Sequence, residues 1–128
     1  MEKKKLVRVY LASPYTHKDK AVVLDRYLRT VLATATLQMA HLECNIFSPI
    51  LNSHPLADLG GMRGDWAFWK GLDIDHIESC HEIWVYTISG WRESVGVTEE
   101  IEIGRALGMP IKYLDSELNL HNEPQDII

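Results

Sequence analysis

Residues Glu82–Asp115 read EIWVYTISGWRESVGVTEEIEIGRALGMPIKYLD, and they hold two apolar strands on either side of a helix. "EIWVYTIS", Glu82–Ser89, is rich in β-branched and aromatic residues and predicts a strand. The glycine-containing loop "GWRESVG" leads into a helical pattern near Val97–Leu107, which Gly108 and Pro110 end before a further strand, "PIKYLD". A strand, a helix and a second strand at this spacing form a βαβ unit, the building block of a parallel sheet.

Upstream, the same alternation recurs. "KLVRVYLA", Lys5–Ala12, predicts a first strand that stops at Ser13-Pro14, because proline cannot donate to a ladder and restrains the residue before it. From about Lys18 to His41, Val22, Val23, Leu28, Val31, Leu32, Ala35, Leu37 and Met39 fit a long helix with one broad buried face. "CNIFSPI" predicts a short strand ending at Pro49, and "LNSHPLADLGGMRGD" a long loop, a kind of segment that is usually functional inside a compact domain. Asp65–Cys80 returns to helical spacing, with Trp66, Trp69, Leu72, Asp73, Ile77 and Cys80 on one side, and a polar tail, residues 116–128, is expected to fray. The expectation is an α/β fold: a single domain over residues 1–128 with helices on both faces of a mostly parallel sheet of four to five strands. Ligands in such folds bind beyond the carboxyl ends of the strands, so the loops Ser13–Lys18, Ser48–Asp65 and Ser89–Gly96 are where a site is expected.

Composition narrows the function classes. A chain of 128 residues with 46% hydrophobic and 24% charged residues suits one domain with its own core. No apolar run approaches the roughly 18 residues of a membrane span, and the N-terminus lacks a secretory apolar region, so the expectation is a cytoplasmic protein without a membrane partner. The net charge of -5 leaves no broad basic face, which argues against a nucleic-acid polymer but not against a single nucleotide. Cys44 and Cys80 show no paired spacing and are expected as free thiols. His76 and Cys80 stand four apart, but two ligands without a second pair are a weak metal signal, so no metal and no cofactor are expected.

Three stretches taken in order, "VYLASPY", Asp73 with Ile77 and "SCHEIWV", and "SVGVTEEIEIGRALGMPI", resemble the nucleoside 2-deoxyribosyltransferase superfamily. That group includes nucleotide N-glycosidases, and the likeness is strongest to a branch of small bacterial and phage proteins with LASPY, SPI..SHP and GW..S.G...E patterns. The resemblance covers most of residues 7–114 and implies a Rossmann-like, flavodoxin-like three-layer sandwich, cleavage of the bond between a sugar C1′ and a base, a glutamate nucleophile and a homodimer or larger homo-oligomer. In the family pattern S-x-G-x-x-x-E, Ser94 and Gly96 select Glu100, and Gly108 and Pro110 stand eight and ten residues beyond it. Glu102, in "EIG", echoes the family's "ELG" but sits two residues too far from Gly96.

What the resemblance implies is chemically coherent. A carboxylate below C1′ stabilises an oxocarbenium-like state or forms a covalent glycosyl intermediate. Glu100 near a helix N-terminus is expected to be ionised, and Asp73 matches the family's aspartate and is the candidate for protonating the leaving base. Ser94 and Gly96 would cradle a 5′-phosphate at that helix start. Tyr10, Ser13, Tyr15 and His17 match the loop that lines sugar and base, and Ser48 and His54 join the site by loop placement alone. The chain departs from the wider superfamily at His81, where an aspartate is common, and at Ser13, where the familiar LAGP pattern has glycine.

Each assignment has a plainer counterpart. Glu99 and Glu102 are explained by helix electrostatics, with Glu102 facing Arg105. Asp73 could face solvent, Tyr10 could be core and His54 an ordinary loop histidine. Trp66, Trp69 and Trp84 are more often packing, whereas Trp91, after Gly90, is the better base-stacking candidate. Two other classes of function stay open: a non-catalytic nucleotide-binding module, and an interaction or assembly protein without small-molecule chemistry.

Overall fold

A computed structural model describes residues 5–125, and in it the alternation becomes five strands and four helices. The strands are β1 (Val7–Ala12), β2 (Cys44–Phe47), β3 (Glu82–Tyr86), β4 (Ile111–Leu114) and β5 (Leu120–His121). The helices are α1 (Lys20–Ala40), α2 (Pro49–Asp58), α3 (Trp66–Glu78) and α4 (Val95–Ala106). They form one α/β sandwich around a sheet of order β2-β1-β3-β4-β5, parallel throughout except for β5.

Period-two alternation divides the core. Val9 and Leu11 of β1 pack with Ala33 and Leu37 of α1 on one face, and Tyr10 and Ala12 pack with Ile77 of α3 and Val97 and Ile101 of α4 on the other. Strand order reverses between β1 and β3, whose register pairs Val9 with Glu82 and Ala12 with Val85. That reversal opens a crevice beyond Ala12 and Tyr86, the switch point where open α/β sheets bind ligands.

Three expectations are corrected by tertiary structure. The segment expected to be one long loop contains α2: Pro49 occupies the first helical turn, where its missing N–H costs nothing, and the helix tolerates Pro55 inside it. Only the part that follows α2, up to the start of α3, is irregular. Up to residue 125 the segment after Ser116 does not simply fray, because Asp115 accepts hydrogen bonds from the backbone N–H groups of Glu117 and Asn119 and turns the chain so that β5 pairs with β4; residues 126–128 of the expected tail lie outside the described residues. On α1 the buried stripe is Thr30, Ala33 and Leu37, while Leu28, Leu32, Ala35 and Met39, expected in the core, are exposed. Small residues let the helix approach the sheet closely, so the contact stripe is narrower than its apolar face.

Glycine matters at two places. Gly104 lies in α4 where an added Cβ would come within 2.5 Å of the Ile83 side chain, so it sets the closeness of α4 to the sheet. Gly90, at φ +93°, lets the loop after β3 turn over the Arg26 guanidinium. Arg26 in turn donates to the Thr16 carbonyl at 3.0 Å, tying α1 to the loop after β1.

Candidate active site

The crevice holds a cavity of about 370 Å³, within the usual range for small-molecule sites. Four segments wall it: Ser13, Tyr15 and Thr16 after β1; Pro49, Ile50 and Ser53 of α2; Trp66, Trp69 and Asp73 of α3; and Glu93 to Gly96 with Glu100 around the start of α4. The N-termini of both α2 and α4 therefore open onto it.

Glu100 is the most constrained carboxyl group in the site. Ser94 caps α4, its Oγ accepting from the Val97 N–H at 3.2 Å, so Glu100 lies in the second turn and points inward. Only 4% of it is exposed, and the hydroxyl of Tyr10, itself fully buried, donates to its carboxylate. The expectation of a glutamate ionised by the helix N-terminus is corrected here. Burial outweighs the Tyr10 hydrogen bond, and with the nearby Asp73 it pushes the Glu100 carboxyl up to about 8. The helix dipole fades within the first turn, which Glu100 has already passed.

Asp73 does not face solvent. It is 9% exposed, looks into the cavity from α3, and is pushed up to about 7 by burial. Tyr10 titrates well above its ordinary range, through its own burial and then the charges of Glu100 and Asp73, so its hydroxyl remains a donor. Two carboxyl groups and a phenol thus share one water-poor corner, each stabilised in its protonated form.

The other glutamates have different partners. Glu99 accepts from the Trp66 indole and pairs with Lys70 at 3.4 Å, tying α4 to α3, and Glu102 is exposed on the outer side of α4. A layer behind the wall steadies it. His54, 9% exposed, stacks on Tyr27 at 3.9 Å between ring centroids, and its Nδ1 lies 2.7 Å from the Tyr15 hydroxyl. Ser13 and Ser48 are buried, and neither hydroxyl has a hydrogen-bond partner among the described residues.

Of the residues selected in the sequence, Ser13, Tyr15, Asp73, Ser94, Gly96 and Glu100 line the cavity. Tyr10, Ser48 and His54 stand directly behind it, touching or adjoining the wall residues Glu100, Pro49 and Tyr15. Two do not reach it. His17 is exposed, and its Nδ1 accepts from the Asp19 N–H; Trp91 is 5% exposed and packs against Tyr113 in the core, beneath the Arg92 guanidinium. The indole of Trp91, which follows Gly90 at φ +93°, lies inward on Tyr113 rather than over the cavity. The aromatic walls are instead Trp66 and Trp69, expected as packing; their signal was proximity to Asp73 along α3. His81 stands at the amino end of β3, where its Nδ1 accepts from the Arg8 N–H at 2.8 Å, away from the carboxyl-end cavity.

Residues 7–115, from the start of β1 to just past β4, match the family described as domain of unknown function DUF1937. The chain belongs to that family. No curated protein matches it. The matched DUF1937 region contains every cavity residue named above and leaves out β5. Among the described residues no helix is long and apolar enough to cross a membrane.

Proposed function

We propose that this DUF1937 protein cleaves the N-glycosidic bond of a nucleoside or nucleotide, with Glu100 as nucleophile. One observation carries the reading: a carboxyl group held by a buried tyrosine opens onto a nucleoside-sized cavity at the switch point, with a second carboxyl group, Asp73, on the same wall. The resemblance to the deoxyribosyltransferase superfamily supports it, since Tyr10, Ser13, Tyr15, Asp73, Ser94, Gly96 and Glu100, matched there, lie in or against the cavity, although His17 does not.

In this mechanism the Glu100 carboxylate meets C1′ as the bond to the base breaks, and protonated Asp73 gives its proton to the departing base nitrogen. Water, or a second base in a transfer reaction, then opens the glycosyl-enzyme ester. The Tyr10 hydroxyl stabilises the carboxylate whenever it forms. Ser94 and the free N–H groups at the start of α4 suit a sugar hydroxyl or a 5′-phosphate. The reading includes a homo-oligomer, and the exposed Leu28, Leu32 and Met39 along α1 offer an apolar face to a second copy. Free Cys44 and Cys80 fit a reducing, cytoplasmic setting.

A second reading, nucleotide binding without chemistry, has one observation in its favour: a carboxyl group pushed up to about 8 is a poor nucleophile at neutral pH unless its ligand ionises it. Incubation with a panel of ribo- and deoxyribonucleosides and their monophosphates, followed by chromatography for free base, separates the two. Base release abolished in Glu100→Ala and retained in Glu102→Ala is expected. Binding without release would favour the second reading, and release that survives Glu100→Ala would remove Glu100 as nucleophile.

A further inference from the structure

The cavity wall is electrically one-sided. Asp73, Glu93 and Glu100 contribute three carboxyl groups, Trp66 and Trp69 two indoles, and among the described residues no lysine, arginine or histidine lines it. The nearby cations do not reach Glu100 or Asp73: Arg63 pairs with Asp65, Lys70 pairs with Glu99, and Arg26, held by the carbonyls of Tyr15, Thr16 and Ser89, acts on Glu93 at the rim. Glu100 itself has only a neutral donor, the Tyr10 hydroxyl. A buried carboxyl group with no cationic partner stays protonated, and an incoming phosphate dianion would hold the proton on more firmly. A positive charge on the ligand has the opposite effect and also suits the π-faces of indoles. Ser13, more than nine-tenths buried on the wall and with its hydroxyl unpartnered, leaves a polar group for the ligand to satisfy.

We infer that the substrate is a nucleoside whose base is a cationic aromatic ring, of the pyridinium or N-alkylated purine class. This rests on the N-glycosidase reading of Glu100. The chemistry closes without a general acid. As the cation enters, Glu100 and Asp73 both lose their protons to solvent; the Glu100 carboxylate oxygen bonds to C1′ while the C1′–N bond breaks. The electron pair of that bond goes to the ring nitrogen, cancelling its charge, and the base departs neutral. Water then bonds to C1′, the ester C–O bond breaks with its pair returning to Glu100, and the water's surplus proton passes to the Asp73 carboxylate or to solvent. In this cycle Asp73 acts as the base of the second half rather than as the acid of the first.

Affinity is the decisive readout, because cationic glycosides are also more labile in solution. Calorimetric titration of Glu100→Gln, which removes the proposed nucleophile and leaves Asp73, Glu93 and both indoles to favour a cation, compares nicotinamide riboside with a neutral pyrimidine nucleoside, and 7-methylguanosine in slightly acidic buffer with guanosine and its 5′-monophosphate. The cations are expected to bind at least tenfold more tightly than their uncharged counterparts, with the monophosphate weakest. Trp66→Leu should remove most of that preference, and Glu93→Gln, a change at an exposed wall position, should reduce it several-fold without affecting the fold. Equal or weaker binding of the cations, or a preference unchanged in both wall variants, would overturn the inference. The wild-type release assay tests the parent reading separately. Glu100-dependent release from neutral nucleosides or monophosphates, with no cation preference in affinity, would sink this inference and leave the glycosidase standing. A clear cation preference with no release from any probe would uphold the charge argument and sink the glycosidase.

Discussion

Replacing Glu100 by glutamine should stabilise the protein, and by an amount that grows with pH. Burial moves the Glu100 carboxyl from its ordinary 4.5 to about 8. Between those values the unfolded chain has released this proton and the folded chain still holds it. Wild-type stability therefore falls as pH rises through the window, and below it the contribution is fully present. Each pH unit inside the window is worth about 1.4 kcal/mol. Between about pH 5.5 and about pH 7.5 the wild type should thus lose roughly 2–3 kcal/mol relative to Glu100→Gln. Glutamine keeps a carbonyl oxygen to accept the Tyr10 hydroxyl and has nothing to ionise, so it escapes this loss. For a domain of this size the difference is about 10 °C in Tm, taking roughly 3–5 °C per kcal/mol. Thermal unfolding followed by circular dichroism at several pH values, on both proteins, measures it. A Tm difference that does not change with pH would refute the reasoning, since it would mean that Glu100 titrates alike in the folded and unfolded chains.

Other outcomes follow from single contacts. Tyr10→Phe leaves the buried carboxylate without its donor, a cost of about 1–3 kcal/mol that should lower base release by roughly ten- to a hundredfold while the α/β circular dichroism signature persists. Thr87→Val strips the buried Leu114 carbonyl of a 2.7 Å hydrogen bond, and urea unfolding should show a loss of about 1–3 kcal/mol. Gly104→Ala forces a methyl against Ile83 and should cost about 1–3 kcal/mol in the same experiment, with Ile83→Val recovering part of it. Leu32→Lys, at a position 70% exposed, should leave Tm nearly unchanged yet convert any homo-oligomer seen by light scattering to monomer; an unaltered mass would remove α1 from the interface.

Much of the architecture was legible in the chain because its signals are local. β1, β3 and β4 are short β-branched runs punctuated by Pro or Gly, and α1, α3 and α4 have helical spacing with breakers at their ends, so strand-helix alternation and a parallel sheet follow from residues close in sequence. The helix α2 was hidden by composition. Pro49, Asn52, Pro55 and Asp58 read as loop, whereas in the fold Pro49, Ile50 and His54 form a buried face of α2 against the domain. β5 was hidden for a related reason, since a two-residue strand has no pattern until Asp115 folds it back onto β4.

The site divides in the same way. The spacing from Ser94 and Gly96 to Glu100 lies within the first two turns of one helix and its cap, and it can be counted in the sequence. Glu100 rather than Glu99 or Glu102 is buried because it shares the face of α4 that carries Val97, Ile101 and Gly104 and packs against the sheet. That Trp66 and not Trp91 walls the cavity is decided by packing, with the Trp91 indole placed in the core against Tyr113. The sequence determined which carboxyl groups were available and the order in which strands and helices follow one another. Tertiary structure alone decided their protonation, because desolvation belongs to the surroundings that α3, α4 and β1 build together around Glu100 and Asp73, and no single segment contains it.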